Sequence, residues 1–405
     1  MNTSPVQTCK RCLYNTSHPL GLVLDEEGIC SGCRVHEEKD SLDWAERWQR
    51  LEHLVKPYRS RDSRNYDCIV PVTGAGDSFF IVHVVKERLG LKPLLVTYNR
   101  YYNTPLGIRN LAQLRRRFDC DLLIQSVNPL SVKKIIRTTL RELGSFHWPV
   151  LAGQSVFPVH TAVSHQIPLI IWGAHQGVEQ VGMFSHLHEV EMNRRYRKDH
   201  DLMGYEAEDL ISIFDTLNEQ DVCQYAYPEE SSIESCGMRG IYLNNYVRWD
   251  PWEQHILMSR IAGYESASSN RTFDVFDHID DWHYLGAHDY LKGIRCGLTK
   301  VVDQLCREIR HFRISRDQAL RIASYYHQQP PMYINLLLDM LNIDERSFYY
   351  TINTCNRRSS SDATPVHDGH EVALEDMPDG LRMPPTSSMS RHMRSNHVII
   401  GKGYP

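Results

Sequence analysis

The sequence has no apolar run approaching the roughly 20 residues that a membrane-spanning helix needs. It has no excess of positive charge: 45 Lys and Arg stand against 50 Asp and Glu, a formal net charge of −5. That balance offers no broad basic surface for nucleic acid. The first residues, MNTSPVQTCKRC, lack the apolar core of a secretory signal. No Gly-Lys-Ser/Thr follows a glycine and four variable residues, so there is no Walker loop, and there is no GxGxxG. No segment repeats. These absences predict a cytoplasmic chain whose thiols stay reduced. Its 11 cysteines then read as metal ligands and core residues rather than disulfides.

What is present is a chain of 405 residues, 41% hydrophobic and 23% charged, with room for two or three domains. Composition divides it into a short cysteine-bearing front (1–38), an amphipathic linker helix (39–60), an α/β zone (61–215), a mostly helical zone (216–356) and a Ser/Pro/Asp-rich stretch (357–405). In the linker, Asp40 or Ser41 can cap a helix with Trp44, Trp48, Leu51 and Val55 at helical spacing. The last stretch has few aliphatic residues and is expected to be a disordered tail.

The middle zone alternates. Asp67–Val72, Lys92–Tyr98, Cys120–Val127 and Ile167–Trp172 read as strands, and Ser78–Leu89, the stretch from Pro105, Pro129–Gly144 and Gln154–His165 as helices. Thr104 caps a helix whose first position is Pro105, where a missing N–H costs nothing. IPLIIW is apolar throughout, as a parallel strand covered on both faces should be. The fold class that follows is α/β, a doubly wound parallel sheet.

In such a sheet ligands bind at the carboxyl ends of the strands. Thr73-Gly74-Ala75-Gly76-Asp77-Ser78 closes the first strand and opens the first helix. Its small residues let the backbone approach a ligand, and the context suits an anion, most simply phosphate. A capped structural turn is the plainer alternative. At the front, Cys9-Lys-Arg-Cys12 and Cys30-Ser-Gly-Cys33 make CxxC…CxxC, two knuckles for one tetrahedral zinc. Four protein ligands leave no open position, so such a zinc is structural, and a module this short folds on its metal.

The turn resembles the SGGxDS loop of the PP-loop ATP pyrophosphatases, with Thr73 for serine and Ala75 for glycine. With CKRCLYNTSHPLGLVLDEEGICSGC, PLLVTYNRYYNTPLGIRNL, IPLIIWGAHQGVEQVG, YVRWDPWEQ, FDHIDDWHYLGAHDYLK and REIRHFRISRDQAL, the chain over about 8–345 looks like the N-acetyl sugar amidotransferases of the WbpG type. That resemblance implies a PP-loop sheet domain between a zinc ribbon and a helical region. It implies ATP-dependent conversion of an acetamido group on a nucleotide-linked sugar to an acetamidino group, with release of AMP and pyrophosphate, in surface-glycan synthesis. It implies ATP, Mg²⁺ and structural Zn²⁺. Thr73, Gly74, Ala75, Gly76 and Ser78 would meet the phosphates, with Asp77 and Ser78 catalytic. Tyr98, Asn99, Gly173 and His175 would line the nucleotide crevice, joined by Glu179. Lys292, Arg295, Lys300, Arg307, Arg310 and Arg313 could neutralise pyrophosphate, although a solvated helix face is the expectation for most of them. No glutaminase nucleophile is evident, so ammonia is expected from a separate glutaminase subunit (HisH-like) with a HisF-like subunit, similar to the two halves of the imidazole-glycerol-phosphate synthase system. The rival readings are a PP-loop tRNA thiolase, which needs catalytic-domain cysteines, and a catalytically weak PP-loop scaffold, which Ala75 would favour.

Overall fold

The computed structural model describes residues 6–60, 64–358 and 377–387. Two helices lead in. α1 (Ser31–Ser41) begins at the third metal-type cysteine, and α2 (Trp44–Val55) is capped by Asp43, whose Oδ1 accepts from the N–H groups of Ala45 and Glu46. The cap therefore falls later than Asp40 or Ser41, because Asp40 and Ser41 are already inside α1.

The sheet follows: β1 (Cys68–Pro71), α3 (Gly76–Val82), β2 (Pro93–Tyr98), α4 (Pro105–Phe118), β3 (Asp121–Gln125), α5 (Pro129–Leu143), α6 (Trp148–His165), β4 (Leu169–Trp172), α7 (Gln176–Glu179) and β5 (Arg239–Tyr242). Thr104 Oγ1 accepts the Gly107 N–H at 2.9 Å, so the α4 start matches its sequence signature. Past Val82 the expected single helix to Leu89 widens into a π-helical turn over His83–Arg88.

All strand pairings are parallel and the order is β3-β2-β1-β4-β5. The chain moves outward from β1 to β2 and β3, then returns across β1 to β4. The strand order thus switches between β1 and β4, and sheets of this kind bind ligands at the carboxyl ends of the strands at such a switch. The fifth strand, RGIY, lies in the zone expected to be mostly helical. α6 covers one face of β1, β2 and β4, and α3 covers the other with the helix Pro251–Ala262 upon it.

After β5 the chain is mostly helical, as expected for this zone, with helices over Asp289–Cys296, Lys300–Arg310 and Arg316–His327. Gly297, at φ +68°, ends the first of these. One core unites the front cysteines, both sides of the α3 layer and the late helices, with Leu51, Val70, Phe79, Trp252, Leu305 and Leu381 in the same cluster. Within the stretch expected to be a disordered tail, residues 377–387 pack on the body. Met377 and Leu381 are buried, and Ser266 exchanges hydrogen bonds with Thr386. Residues 359–376 and 388–405 of that stretch lie outside the described residues. Among the described residues no helix is long and apolar enough to cross a membrane.

Candidate functional site

The four front cysteines converge. Their sulfurs lie within 4.8 Å of one another and all four residues are buried. Backbone N–H groups of Arg11, Cys12 and Cys30 point at Cys9 Sγ at 3.3, 3.4 and 3.2 Å. Hydrogen bonding from Cys12 and Cys33 pulls the Cys30 thiol down to about 6, and Arg310 adds to this. Four soft, buried donors that exclude water could bind a metal such as zinc. The module is anchored on the late helices. Leu13 N–H meets Cys306 Sγ at 3.3 Å, Tyr14 donates to Asp303 at 3.0 Å and Arg316 Nε to the Cys12 carbonyl at 3.3 Å.

The TGAGDS turn occupies the carboxyl end of β1, at the switch of strand order. Gly74 has φ +87°, and a Cβ there would sit 3.0 Å from the Leu111 backbone nitrogen. A Cβ on Gly76 would come within 2.4 Å of His255 Cδ2. Both positions need glycine. Ala75 does not: its backbone is extended, φ −75° and ψ 168°, so its methyl adds no strain. Ser78 Oγ takes the Thr73 N–H at 2.9 Å, and Thr73 Oγ1 takes the Ala75 N–H at 3.3 Å. The two hydroxyls therefore brace the turn itself.

Asp77 looks outward with its side chain 47% exposed, and its Oδ1 lies 2.8 Å from Nε2 of the buried His255. Burial opposes the charge on His255, but the hydrogen bond and charge of Asp77, with Asp277 and Asp274 behind it, raise the imidazole above its ordinary value. His255 comes from the helix Pro251–Ala262, 178 positions from Asp77. Nothing in the sequence links them beyond the resemblance of YVRWDPWEQ.

Beside this pair stands a charged group from the late segment. Arg307 reaches Asp274 at 3.1 Å, Lys300 lies 3.5 Å from Asp277, and His278 Nε2 lies 3.2 Å from Asp277 Oδ1. His278 has φ +54° and stacks on Tyr284 at 3.8 Å; a left-handed histidine is a conformation that the surroundings must hold. Burial pulls it down to about 4 while Asp277 and Asp77 act in the other direction. The Lys300 and Arg307 side chains stay 20% exposed.

The expectation of a solvated cationic face is thus corrected. Lys292 pairs with Asp303 at 2.7 Å, Arg313 with Asp250 at 2.8 Å, and Arg310 is buried against the carbonyls of Glu179 and Gln180. Asp274 and Asp277 of FDVFDHIDDW thus pair with Arg307 and Lys300 across a sequence gap. Of the neighbouring carboxylates, Asp280 pairs with Arg100 and Asp289 with Arg271.

The other crevice residues are not drawn to the turn. Tyr98 is buried, its hydroxyl 2.7 Å from that of Tyr225, its ring against Gly153. Asn99 Oδ1 takes the N–H of Tyr101 and the amide of Asn103, which organises the loop after β2. Gly173 passes so close to Ile81 that a Cβ would sit 2.8 Å from its Cδ1. His175 caps α7 with Nδ1 on the Gly177 N–H at 3.1 Å. Glu179 pairs with the buried Lys39 at 2.5 Å, tying α7 to α1.

No curated protein matches this chain. Residues 269–362, the segment that carries His278, Lys300 and Arg307, match the family model "LPS biosynthesis protein WbpG-like, C-terminal domain", so this part of the chain is similar to WbpG-like proteins of LPS biosynthesis.

Proposed function

We propose that the protein is an ATP-dependent amidotransferase acting on a nucleotide-linked N-acetyl sugar. The observation that carries the reading is the glycine turn at the switch point, whose one carboxylate, Asp77, faces the segment similar to WbpG-like proteins. Thr73, Gly74, Ala75, Gly76 and Ser78 would cradle the triphosphate. Asp77 fits Mg²⁺ in kind: it is a hard oxygen donor and remains about half exposed. Lys300 and Arg307, partly exposed beside it, would offset charge as pyrophosphate leaves.

The acetamido oxygen would attack the α-phosphorus, expelling pyrophosphate. Ammonia would then add to the activated carbon, and that oxygen would leave on AMP as the amidine forms. Positioning and charge neutralisation are the protein's whole task in such a step. The ordinary backbone at Ala75 favours this over a scaffold. Cys236 does not fit a sulfur carrier or a glutaminase nucleophile for this site. Burial raises its thiol, and it donates to the Ala162 carbonyl at 3.5 Å, near the end of α6 that feeds the amino end of β4. Ammonia from a separate glutaminase subunit is part of the proposal.

The test is incubation of the purified chain with ATP, Mg²⁺, ammonium and a panel of UDP- and CMP-linked acetamido sugars. AMP should appear together with a product in which NH replaces one oxygen, read by mass. Glutamine should replace ammonium only after a glutaminase is added. No AMP with any member of the panel defeats the reading.

A further inference from the structure

Three buried polar atoms without a partner gather at the carboxyl ends of β4 and β5, beside the turn but not part of it. Trp172 and Tyr242 end the two strands and are register partners. Their ring planes differ by 29° and their centroids lie 6.5 Å apart, which makes a continuous aromatic platform. His175 stands edge-on to Tyr242 at 4.7 Å and against Tyr196 at 4.3 Å. Trp172 Nε1, His175 Nε2 and the Tyr196 hydroxyl are buried and have no hydrogen-bond partner. His175 is 1% exposed and Tyr196 8%, while Trp172, Tyr242 and Asp201 are only half-buried.

The donors can be assigned. His175 Nδ1 accepts the Gly177 N–H, and burial pulls the imidazole down to about 4, so the neutral ring carries its proton on Nε2. Trp172 Nε1 is a donor by chemistry. Burial raises both phenols, so Tyr196 and Tyr242 keep their protons.

Each buried polar atom left alone costs about 1–3 kcal/mol. Water could serve one of them. Several donors converging beside aromatic faces suit a ring with an apolar C–H face and acceptor oxygens. A purine edge alternates donors and acceptors and suits fixed donors less well. We propose that Trp172, His175, Tyr196 and Tyr242 form the box for the acetamido-bearing sugar ring of the acceptor. This rests on the reading above for the ligand's class, and it gives His175 to the sugar rather than to ATP.

The experiment is calorimetric titration of the full chain with UDP-N-acetylglucosamine, UDP-glucose and Mg-ATP as probes. The wild type should bind the N-acetyl compound more tightly than UDP-glucose. Trp172→Phe and Tyr196→Phe, which keep the rings, should each weaken that binding about three- to tenfold and leave ATP unchanged. His175→Asn, which keeps an acceptor for the Gly177 N–H, should do the same. If the variants weaken ATP instead, the box holds the base and the proposal falls. It falls also if no N-acetyl sugar binds, or if the variants bind it as the wild type does. AMP release is measured separately. Sugar binding that depends on the box with no AMP formed defeats the activation reading and leaves the box. AMP formed with sugar binding indifferent to the box does the reverse.

Discussion

Replacing Arg310 by leucine is expected to uncouple the cysteine cluster from the late helices. Arg310 is 5% exposed. Its Nη1 donates to the carbonyls of Glu179 and Gln180 at 3.1 and 2.9 Å, its Nη2 lies 3.8 Å from Cys30 Sγ, and its guanidinium sits 5.3 Å from the Tyr14 ring centroid. Four thiolates around a divalent cation carry a formal double negative charge. One unit charge at about 4 Å and an effective dielectric near 20 is worth about 4 kcal/mol. Desolvating the guanidinium takes back several kcal/mol. Leucine forfeits the attraction, leaves a buried negative cluster and orphans two carbonyls at about 1–3 kcal/mol each. The net loss should be about 3–5 kcal/mol, the range for breaking one side of a buried pair. Urea unfolding followed by tryptophan fluorescence reads it, with zinc stoichiometry measured on the same samples. Arg310→Lys should recover only part, since an ammonium cannot span both carbonyls and the sulfur. A leucine variant within about 0.5 kcal/mol of wild type, holding metal equally well, would refute the argument. Gly32 offers a check from the other side: a Cβ there would come within 2.4 Å of Arg310 Nη2 and 2.5 Å of the Gln180 carbonyl, so Gly32→Ala should displace the same guanidinium.

Asp77→Asn should abolish AMP formation with unchanged circular dichroism, and full activity in that variant would make the turn purely structural. The same substitution has a pH signature. His255 is raised above its ordinary 6.5 in the folded state, so its pairing with Asp77 contributes stability that is complete below that value and lost as pH rises through the raised one. The stability gap between wild type and Asp77→Asn should therefore shrink as pH rises from the ordinary imidazole value through the raised one; a constant or widening gap would contradict the pairing. Asp201 follows the same sign from a different cause: burial pushes its carboxyl up to about 6 with Arg197 opposing, so the chain loses stability as pH rises from about 4 to about 6. Asp201→Asn should stabilise by about 1–3 kcal/mol at neutral pH and by nothing near pH 4, and equal effects at both would show that the carboxylate is not penalised.

Local rules made much of the sheet legible. β1, β2 and β4 are short apolar runs bounded by turn residues, and Thr104-Pro105 marks a helix start by its own chemistry. The paired CxxC spacing needs no fold to be read. β5 was not legible because RGIY has four residues and a glycine, and its strand character comes from pairing with β4, 70 positions back. The cap of α2 was misplaced because Asp40, Ser41 and Asp43 are equivalent as local signals, and the helix before them decides among them. The late cations read as solvated because their partners lie far off in sequence: Asp274 for Arg307 and Asp250 for Arg313. The docking of residues 377–387 combines two buried side chains, Met377 and Leu381, with the Ser266–Thr386 hydrogen bonds, in a stretch whose composition otherwise predicts disorder.

The same non-locality explains the shape of the candidate site. A glycine turn after a strand can be read from six residues, yet its one outward carboxylate is oriented by His255, and the charge around it is set by Asp274, Asp277 and Lys300. None of these belongs to the βα unit that carries the turn. Gly76 has no room for a Cβ because His255 lies upon it, so the residue choice in the turn already encodes contact with the second half. Gly107 does the same on α4, where a Cβ would fall 2.7 Å from the Asp280 backbone. The sheet domain is thus shaped by the helical half at the points where a phosphate would approach. An isolated sheet domain would keep the turn but lose the partner that aims Asp77, so the candidate site is built from both parts of the sequence rather than from either alone.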